Sequence, residues 1–161
     1  MAVTVGTDVY ISLADADAYF TNRLYATTWT GATDGNKEAA LRMATIRLEQ
    51  LDYVGLRADT DTPQALKWPR TSLPLIDGVD YSSDTTIPTQ IANACAETAL
   101  AILENDITTP NANSEYSRVK LSGMEVEYKS SQSNNTYNMQ LNPFVWGYLS
   151  GFTETSGVIH G

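Results

Sequence analysis

The hydrophobic pattern has helical spacing in three stretches of the first 105 residues and changes to a two-residue alternation near 117–129, so helices come first and a hairpin follows. Ser12 with Asp15 offers a capping hydroxyl and an acid for a first turn, which predicts a short helix over about 12–24. Thr30 to Asn36 is turn chemistry, and a second helix is predicted from Lys37 to about Leu51. At about 100° per residue, Glu38, Arg42, Thr45 and Glu49 share one face. Ala39, Ala40, Met43, Ala44, Ile46, Leu48 and Leu51 span a wide apolar arc opposite. Arg47 projects from that arc between Met43 and Leu51, so its charge needs a carboxylate, a carbonyl or a neighbouring subunit.

Asp52 to Thr85 reads as a long connection, anchored by Leu66-Lys67-Trp68-Pro69-Arg70 and by Leu73-Pro74, with room for one helical turn at Pro63-Gln64-Ala65-Leu66. Ile87-Pro88 opens the clearest helix, with Pro88 at its first position and its end near Asn105. Its buried stripe is Ile91, Cys95, Ala99 and Ile102 with Ala92, Ala96 and Leu103, and Gln90, Asn93, Glu97 and Glu104 form its wet side. Around Ser122-Gly123 the alternation predicts a β-hairpin with a basic first arm, Arg118 and Lys120, and an acidic second arm, Glu125 and Glu127. The run 130–142 is a polar linker. Residues 143–161 then carry an aromatic cluster and a polar tail, either folded back on the same domain or docking on another chain. The expected fold is mainly α: a small bundle of three main helices and a short C-terminal helix, with a hairpin and long loops. Residues 1–129 are read as its domain.

Composition narrows the function. Ten Lys and Arg against 19 Asp and Glu give a net charge of −9, which argues against a duplex-DNA reader, whose affinity comes from neutralising phosphates. The chain reads as soluble and not exported, with no membrane segment and no N-terminal signal pattern. One cysteine, Cys95, excludes an internal disulfide and a Cys-based zinc site, and its place in an apolar stripe reads as structural. The single histidine, His160, lies in the polar tail, Asp15 and Asp17 point apart on their helix, and Asp77 to Pro88 lacks the closing glutamate of a calcium loop. No phosphate-cradle or zincin motif occurs. The reading is a protein that is not an enzyme and takes no cofactor or metal. Lys67-Trp68-Pro69-Arg70 has two readings: an anchor for the long loop or a protein interface, and a platform that stacks a base between cations.

The order of these signals resembles the head-to-tail connector, or adaptor, proteins of tailed bacteriophages. It runs Tyr10-Ile11-Ser12-Leu13-Ala14-Asp15-Ala16-Asp17-Ala18-Tyr19-Phe20, Trp29, the helix from Lys37 to Leu51, and Tyr53-Val54-Gly55. It continues with Gln64-Ala65-Leu66-Lys67-Trp68-Pro69-Arg70 and Ile87-Pro88 followed by Ile91, Ala94, Glu97 and Ala99. The resemblance covers about residues 8–129, and relatives often carry the label of DnaT-like single-stranded-DNA-binding proteins. It implies a helical domain assembled as a ring of about twelve copies in the virion neck, made in the host cytoplasm. The ring would touch the portal on one side and a stopper, terminator or tail protein on the other, with DNA passing through without specific binding. From the sequence itself, Arg47 is expected in an inter-helix or inter-subunit ion pair and Trp68 with Arg70 in the loop anchor. Phe144, Trp146 and Tyr148 are expected to dock on a neighbouring ring. The alternative is a single-stranded-DNA-binding replication protein working through Trp68, Lys67 and Arg70. A third reading, a small hydrolase using His160, has no other support in the chain.

Overall fold

The structure, a computed structural model, describes residues 2–58, 64–104 and 141–154, and the backbone of 118–121 and 124–127. It is mainly helical. The described elements run α1 (Leu13–Thr21), α2 (Thr27–Gly31), α3 (Asp34–Leu48), β1 (Leu56–Arg57), β2 (Arg70–Thr71) and α4 (Thr89–Glu104). They continue with β3 (Arg118–Leu121), β4 (Met124–Glu127) and α5 (Pro143–Leu149). The chain divides into two compact units, Met1–Asn105 with Leu141–Gly161, and Asp106–Gln140.

Local chemistry sets the helix ends. Ser12 accepts the Asp15 N–H at 3.1 Å and starts α1. Thr33 does the same for Asn36 at 3.4 Å, so α3 begins three residues before Lys37, inside the stretch that reads as a turn. Asp and Asn serve first turns as well as loops, and the threonine cap decides between them. Pro88 stands just before α4 and its carbonyl accepts from Ile91 and Ala92. No helical turn forms at 64–67, and Pro63 lies outside the described residues. Helix α2 is absent from the periodicity. It is held by Trp29, which is 1 % exposed and packs 4.7 Å from the Phe20 ring.

In the first unit, α4 is the central element, flanked by α3 and α5. Ala94, Cys95, Ala96 and Ala99 are buried along it, and small side chains let Ala40, Leu41, Ala44 and Leu48 of α3 approach closely. Thr45, expected on the polar face of α3, is buried instead. Its hydroxyl is satisfied by the Leu41 carbonyl at 2.9 Å and lies 3.4 Å from the Cys95 sulfur. Ala39, Met43 and Ile46, expected inside, face solvent, because α4 covers only one side of the apolar arc. The C-terminal segment closes the core through Leu141, Val145, Leu149 and Phe152. Its backbone joins the long connection, with the Val54 N–H donating to the Phe152 carbonyl at 3.0 Å and the Glu154 N–H to the Asp52 carbonyl at 2.9 Å.

The second unit contains the β3–β4 hairpin. Its antiparallel register sets Arg118 opposite Glu127 and Lys120 opposite Glu125, the pairing that the charged arms predict. The expected turn at Ser122-Gly123, the linker over 130–140, the tail beyond 154 and His160 lie outside the described residues.

In the long connection β1 pairs with β2, and Gly55 stands just before it at φ +77°, where a Cβ would lie 2.6 Å from the Thr71 carbonyl oxygen and 2.7 Å from Leu73 Cδ2. Only glycine fits a position that is both left-handed and this crowded. Gly55→Ala should cost about 2 kcal/mol or more of stability, measured as a lower urea midpoint at unchanged slope. An unmoved midpoint would show that the backbone yields there.

Candidate functional site

In the segment Lys67-Trp68-Pro69-Arg70, the strongest functional candidate in the sequence, Trp68 and Arg70 are folded into the protein interior, and Lys67 and Pro69 are half-buried. Trp68 is 0 % exposed and stands edge-on to Tyr53 and to Phe152, each with centroids 5.5 Å away, and the Trp68–Pro69 peptide is cis. No face of this indole is open to a base, which removes the stacking role that its flanking cations suggest. Its Nε1 is buried without a hydrogen-bond partner among the described residues.

Arg70, 8 % exposed, spreads its guanidinium over backbone carbonyls. Nε donates to Val54 at 2.8 Å, Nη2 to Tyr53 at 3.1 Å and to Gly55 at 2.6 Å, and Nη1 to Lys67 at 3.4 Å. Burial, and then the neighbouring Arg57, hold its pKa below the ordinary arginine value. Lys67 completes the anchor, with Nζ on the Leu51 carbonyl at 2.7 Å and its N–H on the Glu49 carboxylate at 2.9 Å. That carboxylate also accepts from the Tyr10 hydroxyl, and its burial raises the Glu49 pKa. Above this anchor lies an open cleft of about 500 Å³, lined by both signs of charge: Arg57, Lys67 and Arg70 against Asp52 and Glu154.

A second set of residues, missed in the sequence, surrounds Glu97. Assigned to the wet side of α4, its carboxylate is instead fully buried. Arg23 pairs with it through Nε at 2.7 Å and Nη2 at 3.3 Å, and the Tyr19 hydroxyl donates to it at 2.7 Å. Tyr148 then donates to the Tyr19 oxygen across 3.1 Å, which fastens α5 directly to α1 and, through Tyr19, to Glu97 of α4. Burial, then the Tyr148 and Glu97 contacts, push the Tyr19 hydroxyl far above its usual pKa, and the Glu97 bond raises that of Arg23. A signal for this was present: Glu97 is the single charge within Ile91–Leu103, and a charge inside an otherwise apolar helix must be paired. Asp17 ties the other flank, accepting from Lys37 Nζ and from Trp29 Nε1, each at 2.8 Å. Burial alone would raise its pKa, and these two donors bring it below the ordinary value.

The surface candidates sit apart from the anchor. On α5, Val145 and Leu149 face the core while Phe144 and Trp146 are 57 % and 45 % exposed. The Arg23 guanidinium lies 4.8 Å over the Phe144 ring. Phe144 and the half-buried Tyr148 line a shallow groove of about 400 Å³ with Pro143 and Gly147. Helix α5 thus rests on its own domain through one face and offers aromatic surface on the other. Arg47 is half-buried in the last turn of α3, with Nε buried and unpartnered among the described residues. Of the residues expected at interfaces, Trp68 and Arg70 are thus buried, Phe144 and Trp146 are exposed, and Arg47 and Tyr148 are half-buried.

The contrast between the two tryptophans is measurable. Trp68→Ala should cost about 3–5 kcal/mol and Trp146→Ala about 1 kcal/mol or less in urea unfolding. Equal costs would contradict the division into a core pin and a surface aromatic.

No curated protein and no solved structure matched the chain. A family model described as “Putative DnaT-like ssDNA binding protein” matches residues 2–158, nearly the whole length. The chain therefore belongs to that family, by a match that takes in the Trp68 anchor, the Glu97 network and α5 together.

Proposed function

We propose that this protein is a structural subunit that works by contact: a head-to-tail connector of a tailed bacteriophage, assembled as a ring below the portal and joined to a stopper, terminator or tail protein. The observation that carries this reading is the division of side chains. Trp68 and Arg70, the groups best suited to stack a base and hold a phosphate, are consumed in the interior, whereas Phe144 and Trp146 are turned outward on a seated helix. Exposed aromatics on a fixed scaffold suit protein interfaces, where they contribute most of the contact energy. A chain with a net charge of −9 suits a conduit that DNA must slide through without sticking. Modest contacts per subunit become firm when a whole ring engages at once.

The family description supports a second reading, a single-stranded-DNA-binding replication protein. Under that reading the phosphates would meet Arg57 and Lys67 in the open cleft, with Asp52 and Glu154 opposing them. Binding would then rest on a few cations and fall steeply with salt.

Quantitative mass spectrometry of purified virions, calibrated on the major capsid protein, separates the two. The connector reading predicts about a dozen copies per particle and no salt-sensitive binding of single-stranded oligonucleotides. Absence from virions together with such binding would replace it by the second reading.

A further inference from the structure

Helix α3 is apolar on two sides. One side packs on α4; the other carries Ala39, Met43 and Ile46 along a single line, with Met43 39 % and Ile46 62 % exposed. An exposed line of apolar side chains on a helix is the kind of surface that a partner covers. Arg47, half-buried in the last turn of the helix, borders this strip. In a chain of net charge −9, copies repel one another at long range, so any contact between copies needs faces where the charges are matched. The strip is one such face: apolar along its middle and cationic at its edge.

The matching shape is the tip of the long connection. Asp77 and Gly78 have φ of +51° and +78°, and Ile76 and Val79 exchange N–H···O bonds of 3.0 and 2.9 Å across them. Two consecutive left-handed residues close the tight turn whose twist suits a hairpin. The tip is braced from behind, since Ile76 Cγ2 lies 3.0 Å from where a Cβ on Gly151 would stand. It presents Leu75 at 67 % and Val79 at 47 % exposure, beside the exposed carboxylates of Asp77 and Asp80. Asp80 is fixed by the Ser82 N–H at 2.9 Å. Two apolar side chains flanked by acids complement two apolar side chains flanked by a cation.

We propose that the Leu75–Asp80 tip of one copy docks on the Ala39–Met43–Ile46 strip of the next, with its carboxylates facing Arg47. Two different surfaces then meet, so the contact is head-to-tail and propagates into a ring or a filament. The inference rests on the reading of this chain as an assembling subunit and adds to it the faces that meet.

The test mixes two single variants of the full chain, Ile46→Cys and Val79→Cys, one of them carrying a size tag, and oxidises the mixture across a concentration series. Both positions are exposed, so neither variant opens the core. The native thiol does not compete, because Cys95 is fully buried and its pKa is pushed up to about 12 by that burial. The expected result is a disulfide dimer joining residue 46 of one chain to residue 79 of the other, at least several-fold above either variant oxidised alone. Dominant 46–46 or 79–79 products, or monomer at every concentration, would overturn the pairing. Failure of the crosslink with about a dozen copies per virion would discard these faces and leave the connector reading standing. Crosslinking by a chain absent from virions would do the reverse.

Discussion

A guanidinium removed from water must find its acceptors inside the protein, and Arg70 finds them in the carbonyls of Tyr53, Val54, Gly55 and Lys67. That constraint organises the longest irregular part of the chain. The carbonyls belong to the two arms of the connection, so one side chain holds both arms in place while β1 and β2 contribute only two residues each. Trp68, two residues away, then occupies the space between Tyr53 and Phe152 and binds the C-terminal segment into the same core. The motif that most resembles a binding site is thus spent on folding.

Glu97 plays the corresponding part among the helices. A buried carboxylate is tolerated only with a cation and further donors, and it receives them from Arg23 and Tyr19, with Tyr148 one bond beyond. The cost of burying that charge is offset by what it aligns: α1, α4 and α5 share one polar junction, and α5 is seated with Phe144 and Trp146 outward. Arg23 serves twice, pairing with Glu97 and lying over the Phe144 ring. The exposed aromatic face is thus tied to the core by the same Arg23 that pairs with Glu97.

Much of the helical scaffold was legible from local chemistry: the Ser12 cap, the apolar stripe around Cys95, and the basic and acidic arms of the hairpin all correspond to observed elements. What was hidden depends on the third dimension. Helix α2 has Thr-rich, weakly helical sequence and exists because Trp29 packs on Phe20. The apolar arc of α3 is wider than the surface that α4 covers, so periodicity placed Met43 and Ile46 inside and the fold left them out. An aromatic between two cations reads equally well as a platform or as a pin, and only burial separates these for Trp68. For Glu97 the helix wheel assigned a wet face, whereas the apolar neighbours on every side were the better guide.

Folding and assembly are thus carried by different groups: Arg70, Trp68 and Glu97 fix the scaffold, and outward apolar residues are left for partners. Amide hydrogen exchange over residues 64–71, recorded with and without saturating single-stranded DNA, tests that separation most directly. The account predicts strong protection in the free chain and no change on adding DNA. Weak protection that rises with DNA would make this segment a binding surface after all and contradict the central claim.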